Sequence, residues 1–100
     1  MVLHGINFAS PRVAAILADG RVRRAWLFGS ILTERFTPQS DIDLLIETDP
    51  IDPPGLFVLG GVQMNLSELF GRQVHLTMLG GIPVGERAQA LSGARLLHAA

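Results

Sequence analysis

Two spacings of apolar residues alternate along the chain and predict alternating helices and strands. Ser10 and Pro11 open a helix, because a Ser side chain accepts from free backbone amides and the fixed φ of Pro suits a first turn. Val13, Ile16 and Leu17 give that helix an apolar stripe, and Gly20 closes it. From Val22 to Phe28 the apolar run Ala25-Trp26-Leu27-Phe28 ends at Gly29 and predicts a buried strand. Ser30 to Ser40 has room for one short helix and a loop carrying Pro38, and Asp41 to Thr48 reads as a second strand. After Pro50, Pro53, Pro54 and Gly55, apolar residues recur at helical spacing from Leu56 through Leu59, Val62, Leu66 and Leu69 to Phe70, up to Gly71. Gly60-Gly61 leaves that helix open to a break. Gln73 to Met78 alternates polar and apolar residues as a third strand, Gly85 to Gly93 is helical, and Ala94 to His98 reads as a final short strand or a helical tail.

This succession predicts an α/β (α+β) fold, a small mixed β-sheet of three to four strands packed by helices, with residues 1–100 as one domain. A chain of this length buries only about two-thirds of its unfolded surface. With 48% apolar residues, some must stay outside, which points to a contact surface for another protein or a second copy. The net charge is −1 and no basic run exceeds Arg23-Arg24, so nucleic acid is not an expected partner. The absence of cysteine removes disulfides, thiolate nucleophiles and Cys-based zinc sites. The start, MVLHGINFASPR, has neither the basic residues nor the apolar core of a signal peptide, and no stretch reaches the ~18 apolar residues of a membrane span. A cytoplasmic protein without membrane contact is the expectation.

The candidate chemistry lies on the first two long strands. In Asp41-Ile42-Asp43-Leu44-Leu45-Ile46, alternation sends Asp41 and Asp43 to one face and Ile42, Leu44 and Ile46 to the core. Carboxylates held that close repel each other unless a cation neutralises them. With no His or Cys in the motif, their hard oxygens suit Mg²⁺ or Mn²⁺, ions that complete their shells with water and substrate phosphates. Leu45 and Glu47 share this face by alternation, but Glu47 lies about 13 Å along the strand from Asp43 and is a poor third ligand. Gly29, just past a strand, lets a ligand approach the backbone; Ser30 is placed to cap the short helix after it, whose free amides attract phosphate. His4 and His98, near the ends, are expected in solvent, Trp26 in the core, and Arg23 and Arg24 at the solvated start of a strand.

The run LFGS, ten residues, then SDIDLLIE resembles the signature of the DNA polymerase β-like nucleotidyltransferase superfamily, and the length is similar to its minimal, antitoxin-type (MntA-like) members, which pair with HEPN-domain proteins. The resemblance spans essentially the whole chain. It implies that Gly29 and Ser30 bind a nucleoside triphosphate, ATP foremost, and that Asp41 and Asp43 bind the metal ions. Family members carry a third carboxylate on the third strand. Here Val74, Leu76 and Met78 are expected to face the core, which leaves Gln73, His75 and Thr77 on the active face and His75 in the carboxylate's place. Members also commonly have Ala-Arg-Gly where this chain has Leu32-Thr33-Glu34, and Arg35 is the candidate to reach the phosphates instead.

What the resemblance implies is transfer of a nucleoside monophosphate from the triphosphate to a hydroxyl on a partner protein, with Asp41, Asp43 and His75 catalytic and a HEPN toxin as the partner. The other reading is a catalytically weak or silent module of the same fold that masks a partner through its apolar surface. The Gly-Ser and Asp-x-Asp pairs favour the enzyme; His75 and the missing Arg favour the module.

Overall fold

A computed structural model describes residues 1–100. The chain opens with a hairpin of two short strands, β1 (Val2–Leu3) and β2 (Ile6–Asn7). Its turn is His4-Gly5, at φ 51 and 78, the positive pair that a tight hairpin turn uses. The hairpin delivers Phe8 into the core, where it is buried. Helix α1 (Pro11–Asp19) follows as expected: Ser10 accepts the Arg12 N–H, Pro11 sits in the first turn, and Val13 and Leu17 are buried.

A four-stranded sheet forms the centre, in the order β5-β4-β3-β6. Its strands are β3 (Val22–Phe28), β4 (Ile42–Thr48), β5 (Val74–Met78) and β6 (Arg95–Ala99). β3 pairs antiparallel with β4 and with β6, whereas β4 and β5 are parallel. A parallel pair needs a crossover, and helix α2 (Leu56–Phe70) provides it. The fold is therefore the mixed α+β sheet packed by helices that the pattern predicts. The last segment is a strand, not a helical tail, because it pairs with β3 from Arg24 to Leu27. α2 runs unbroken through Gly60 and Gly61 and ends at Gly71, whose φ of 68 is left-handed. Each mid-helix glycine costs about 1 kcal/mol relative to Ala; burial of Val62 and Leu66 against the sheet offsets it. Leu56, expected on the apolar stripe, is 90% exposed, one turn outside that contact.

Both faces of the sheet are covered, but unequally. Ala25, Leu27, Ile42, Leu44, Ile46 and Val74 pack against α1 and α2 in the main core. On the other face Trp26, Leu45 and Leu79 form a small second core under Ala90 and Leu91 of helix α3 (Val84–Ser92). Leu45, expected on the open polar face, is thus buried, and Trp26 is core as expected. Met78 is 36% exposed rather than core, since β5 is an edge strand and its end runs past the packed helices. His98, expected in solvent, pairs with Ala25 on β6 and is half-buried, its Nε2 enclosed without a partner.

α3 itself has no buried residue, so it shields only the middle of its face. At one end Arg24 and Glu47 form a two-pronged ion pair of 2.8 and 3.0 Å, with the guanidinium 5.5 Å above the Trp26 ring. Arg24 is thus paired while its side chain stays about half exposed, at the solvated start of the strand as expected. The hydrogen bond from Arg24 holds the Glu47 carboxyl below its ordinary value. A depressed carboxylate stabilises the fold above the unfolded-state value, and that contribution fades as pH falls through the folded one. The opposite end of the face is open.

Candidate active site

β3 ends at Phe28, and the chain leaves it through Gly29 at φ 78. Two constraints select glycine here. That φ is rarely adopted by residues with a side chain, and a Cβ on Gly29 would lie 2.9 Å from Asp43 Oδ2. Phe28 is paired with Asp43 across β3 and β4, so the turn and the carboxylate are set against each other by sheet register. Residues Gly29–Leu32 then form a single 3₁₀ turn. This corrects two expectations: Ser30 lies inside the turn and caps no helix, and four residues are too few for a helix N-terminus. The turn is closed instead from its far end, where the Thr33 N–H and hydroxyl both donate to the Ser30 carbonyl at 2.9 Å. The Ser30 side chain is left unused in this bonding.

Register also sets the other half of the site. β4 begins at Ile42, so Asp41 stands immediately before the strand rather than in it. Asp43 is the neighbour of His75 across the parallel β4–β5 pair, and His75 Nε2 lies 2.9 Å from Asp41 Oδ2. Asp41, Asp43 and His75, which the sequence analysis singles out, therefore meet beside Gly29 at the uncovered end of the sheet. The Asp41 and His75 side chains are each 47% exposed. Arg35 lies on the loop after the 3₁₀ turn with its backbone N–H on Thr33 Oγ1 at 3.2 Å, but its guanidinium forms no ion pair with either aspartate.

Sequence reasoning missed Arg72. It reaches from the end of α2 to the loop before Asp41, donating to the carbonyls of Thr37 at 3.1 Å and Ser40 at 3.3 Å, and its guanidinium lies 4.6 Å over the Phe36 ring. The Ile42 N–H completes the attachment on the Gln73 carbonyl at 3.0 Å. A lone Arg after a helix-ending glycine carries no signal of this role, because its partners are backbone carbonyls more than thirty residues away. Arg72→Ala is expected to lower stability by about 1–3 kcal/mol, the range for hydrogen bonds to a charged donor. Urea unfolding checks this, and a loss below ~0.5 kcal/mol would mean that the loop is held by other contacts.

The donor set fits a divalent cation of one kind. Both aspartates neighbour His75, Asp41 through its hydrogen bond and Asp43 through strand register, and no Lys or Arg is paired to either. No three His, Asp or Glu side chains are arranged to enclose one ion. Carboxylate oxygens are hard donors, and a divalent ion held by these two would take most of its ligands from water and phosphate oxygens.

The likeness to known proteins agrees with this fold. Residues 12–97 match the nucleotidyltransferase domain family. No curated protein sequence matches the chain significantly. Among solved structures, a toxin–antitoxin complex crystallised with AMP-PNP is similar at TM-score 0.73 and 18% identity, over 95% of this chain and 75% of that one. The MntA–HepT toxin–antitoxin complex is similar at TM-score 0.62 and 18% identity, over 89% and 68%. A minimal nucleotidyltransferase is similar at TM-score 0.63 and 25% identity, over 91% and 96%. At such identities the two complexes speak for the fold, while the family match covers most of the chain, including every residue of the site. The chain belongs to the nucleotidyltransferase domain family.

Proposed function

We propose that residues 1–100 act as one nucleotidyltransferase domain that moves a nucleoside monophosphate from ATP, or a related triphosphate, to a hydroxyl on a partner protein in the cytoplasm. The observation that carries this reading is that Gly29 abuts Asp43 while His75 neighbours Asp43 and bonds to Asp41, with the Asp41 and His75 side chains each 47% exposed. Asp41 and Asp43 would hold Mg²⁺ or Mn²⁺, which when bound neutralises the triphosphate and polarises its α-phosphate. Gly29 lets the phosphates approach the backbone, and Ser30 offers a free hydroxyl to them. Arg35, on the loop after the 3₁₀ turn, is the candidate to reach the phosphates. In the reaction the hydroxyl oxygen bonds to the α-phosphorus and gives up its proton to water, while the bond from that phosphorus to the α,β-bridging oxygen breaks and pyrophosphate leaves with its electron pair. The partner is a HEPN-type toxin, a reading supported by the likeness to a MntA–HepT complex.

His75 separates this reading from that of a silent module that only masks its partner. Its ring is hydrogen-bonded to Asp41, so it occupies a carboxylate that the cation needs, and imidazole is a weaker partner for Mg²⁺ than for Mn²⁺. Transfer is therefore expected to be slower with Mg²⁺ than with Mn²⁺. His75→Asp should raise the Mg²⁺ rate about tenfold, ~1.4 kcal/mol of barrier. Labelled ATP and the co-purified partner, with each metal and each protein, give the test. If neither protein labels the partner in either metal, the masking module is the correct reading; if His75→Asp is no faster while Asp41→Asn is inactive, the site works without a third carboxylate.

A further inference from the structure

Nothing within a single chain requires glycine at Gly60 or Gly61. Both lie in the middle of α2, where glycine weakens the helix, and neither has the positive φ that would require it. A Cβ at either position meets nothing within 4 Å. Around them is the outward face of α2, where Leu56, Phe57 and Met64 are 90%, 96% and 65% exposed. Phe57, Gly61, Met64 and Glu68 follow one another at three- and four-residue steps, which makes them one stripe, and they border one groove. Glu68 has no ion-pair partner in the chain. The N-terminus of the same helix has no side-chain cap and no acidic residue in its first turn, although its free amides favour an anion.

We propose that this face docks a second copy of the chain, through an antiparallel α2–α2 contact centred on Gly60 and Gly61. A two-fold axis between the glycines sets each residue against the one equally distant on the other side. Gly60 then meets Gly61, and Phe57 of each copy meets Met64 of the other, a favourable ring–thioether pair. Glu68 of each copy reaches the start of the other's helix and supplies the carboxylate that this terminus lacks. The charges choose the direction: a parallel contact would set Glu68 against Glu68 and leave both N-termini uncapped. The absent side chains at the crossing let the two backbones come close, which accounts for two glycines that otherwise only weaken the helix.

The size of the patch sets the strength. Leu56, Phe57 and Met64 offer roughly 400 Å² of apolar surface per copy, taking about 200 Å² for the aromatic and ~100 Å² for each of the others. Two copies bury about 800 Å² from these three residues, below the usual range of stable interfaces, so the dimer should be weak and readily reversible. The face lies on the other side of the sheet from Asp43 and His75, and the inference does not rest on the transfer chemistry.

The test is sedimentation velocity on the whole chain from about 1 to 200 μM. The wild type is expected to pass from monomer to dimer across this range. Gly60→Ala/Gly61→Ala should dissociate at least tenfold more readily while melting higher, by roughly 8–16 °C at the lowest concentration, because Ala favours the helix. Phe57→Ser should also be monomeric. A wild type that stays monomeric throughout overturns the proposal, as does a glycine variant that dimerises as well as the wild type.

Discussion

Asp43→Asn should lower nucleotidyl transfer by at least about 100-fold, the scale on which loss of one preorganised charge contact acts in an active site. The substitution keeps size and shape, so the side chain still fits against Gly29 and within the β3–β4 register. What it removes is one negative charge from the pair that would hold the cation. Asp41→Asn should be as damaging, and it isolates charge more cleanly, because an amide can still bond to His75 across the same 2.9 Å. Surface substitutions of this kind change stability by about 0.5 kcal/mol or less, so both variants should melt with the wild type. Labelled-ATP transfer alongside thermal melting gives the check: lost transfer at unchanged stability assigns the carboxylates to chemistry, and retained transfer removes them from it.

The second large effect is expected at Gly29. Gly29→Val forces a β-branched residue to φ 78, at a cost of about 1–3 kcal/mol, and it places a Cβ 2.9 Å from Asp43 Oδ2. The melting temperature should fall by roughly 5–15 °C, and transfer should fall with it as the carboxylate is pushed aside. Gly71 offers an internal control, since its φ is 68 but a Cβ there meets nothing within 4 Å. Gly71→Ala should therefore show backbone strain without loss of activity. If the two substitutions reduce transfer equally, the close approach of Gly29 to Asp43 has no functional meaning.

Much of this was legible in the sequence because local rules and the fold agree. Ser10-Pro11 gives the start of α1, a glycine-bounded apolar run gives β3, the apolar run after the Pro38 loop gives β4, and alternation gives β5 within a residue. The failures have common physical causes. The β1–β2 hairpin has two residues per strand, too few for any periodicity, and its turn uses a His at positive φ. Leu45 was misplaced because alternation assumes one buried face, whereas α3 creates a second core over Trp26 and Leu45. The continuous run Leu44-Leu45-Ile46 was the available signal, since strands buried on both faces lose their alternation.

The candidate site was legible as a set of residues and not as an arrangement. The two aspartates and Gly29 follow from spacing, and the place of His75 from alternation on β5. Its bond to Asp41 depends on how β4 and β5 align, which is set by the α2 crossover and the packing beneath it. The same holds for Arg72, whose hold on Thr37 and Ser40 exists only once α2 has brought its end beside that loop.

The most direct measurement of the central claim is calorimetric titration of a non-hydrolysable ATP analogue into the protein, with and without Mn²⁺ or Mg²⁺. The wild type should bind only when the metal is present, and Asp41→Asn/Asp43→Asn should lose at least about tenfold in affinity, ~1.4 kcal/mol. Equal metal-dependent affinity in the two proteins would contradict the assignment of this end of the sheet as the nucleotide site.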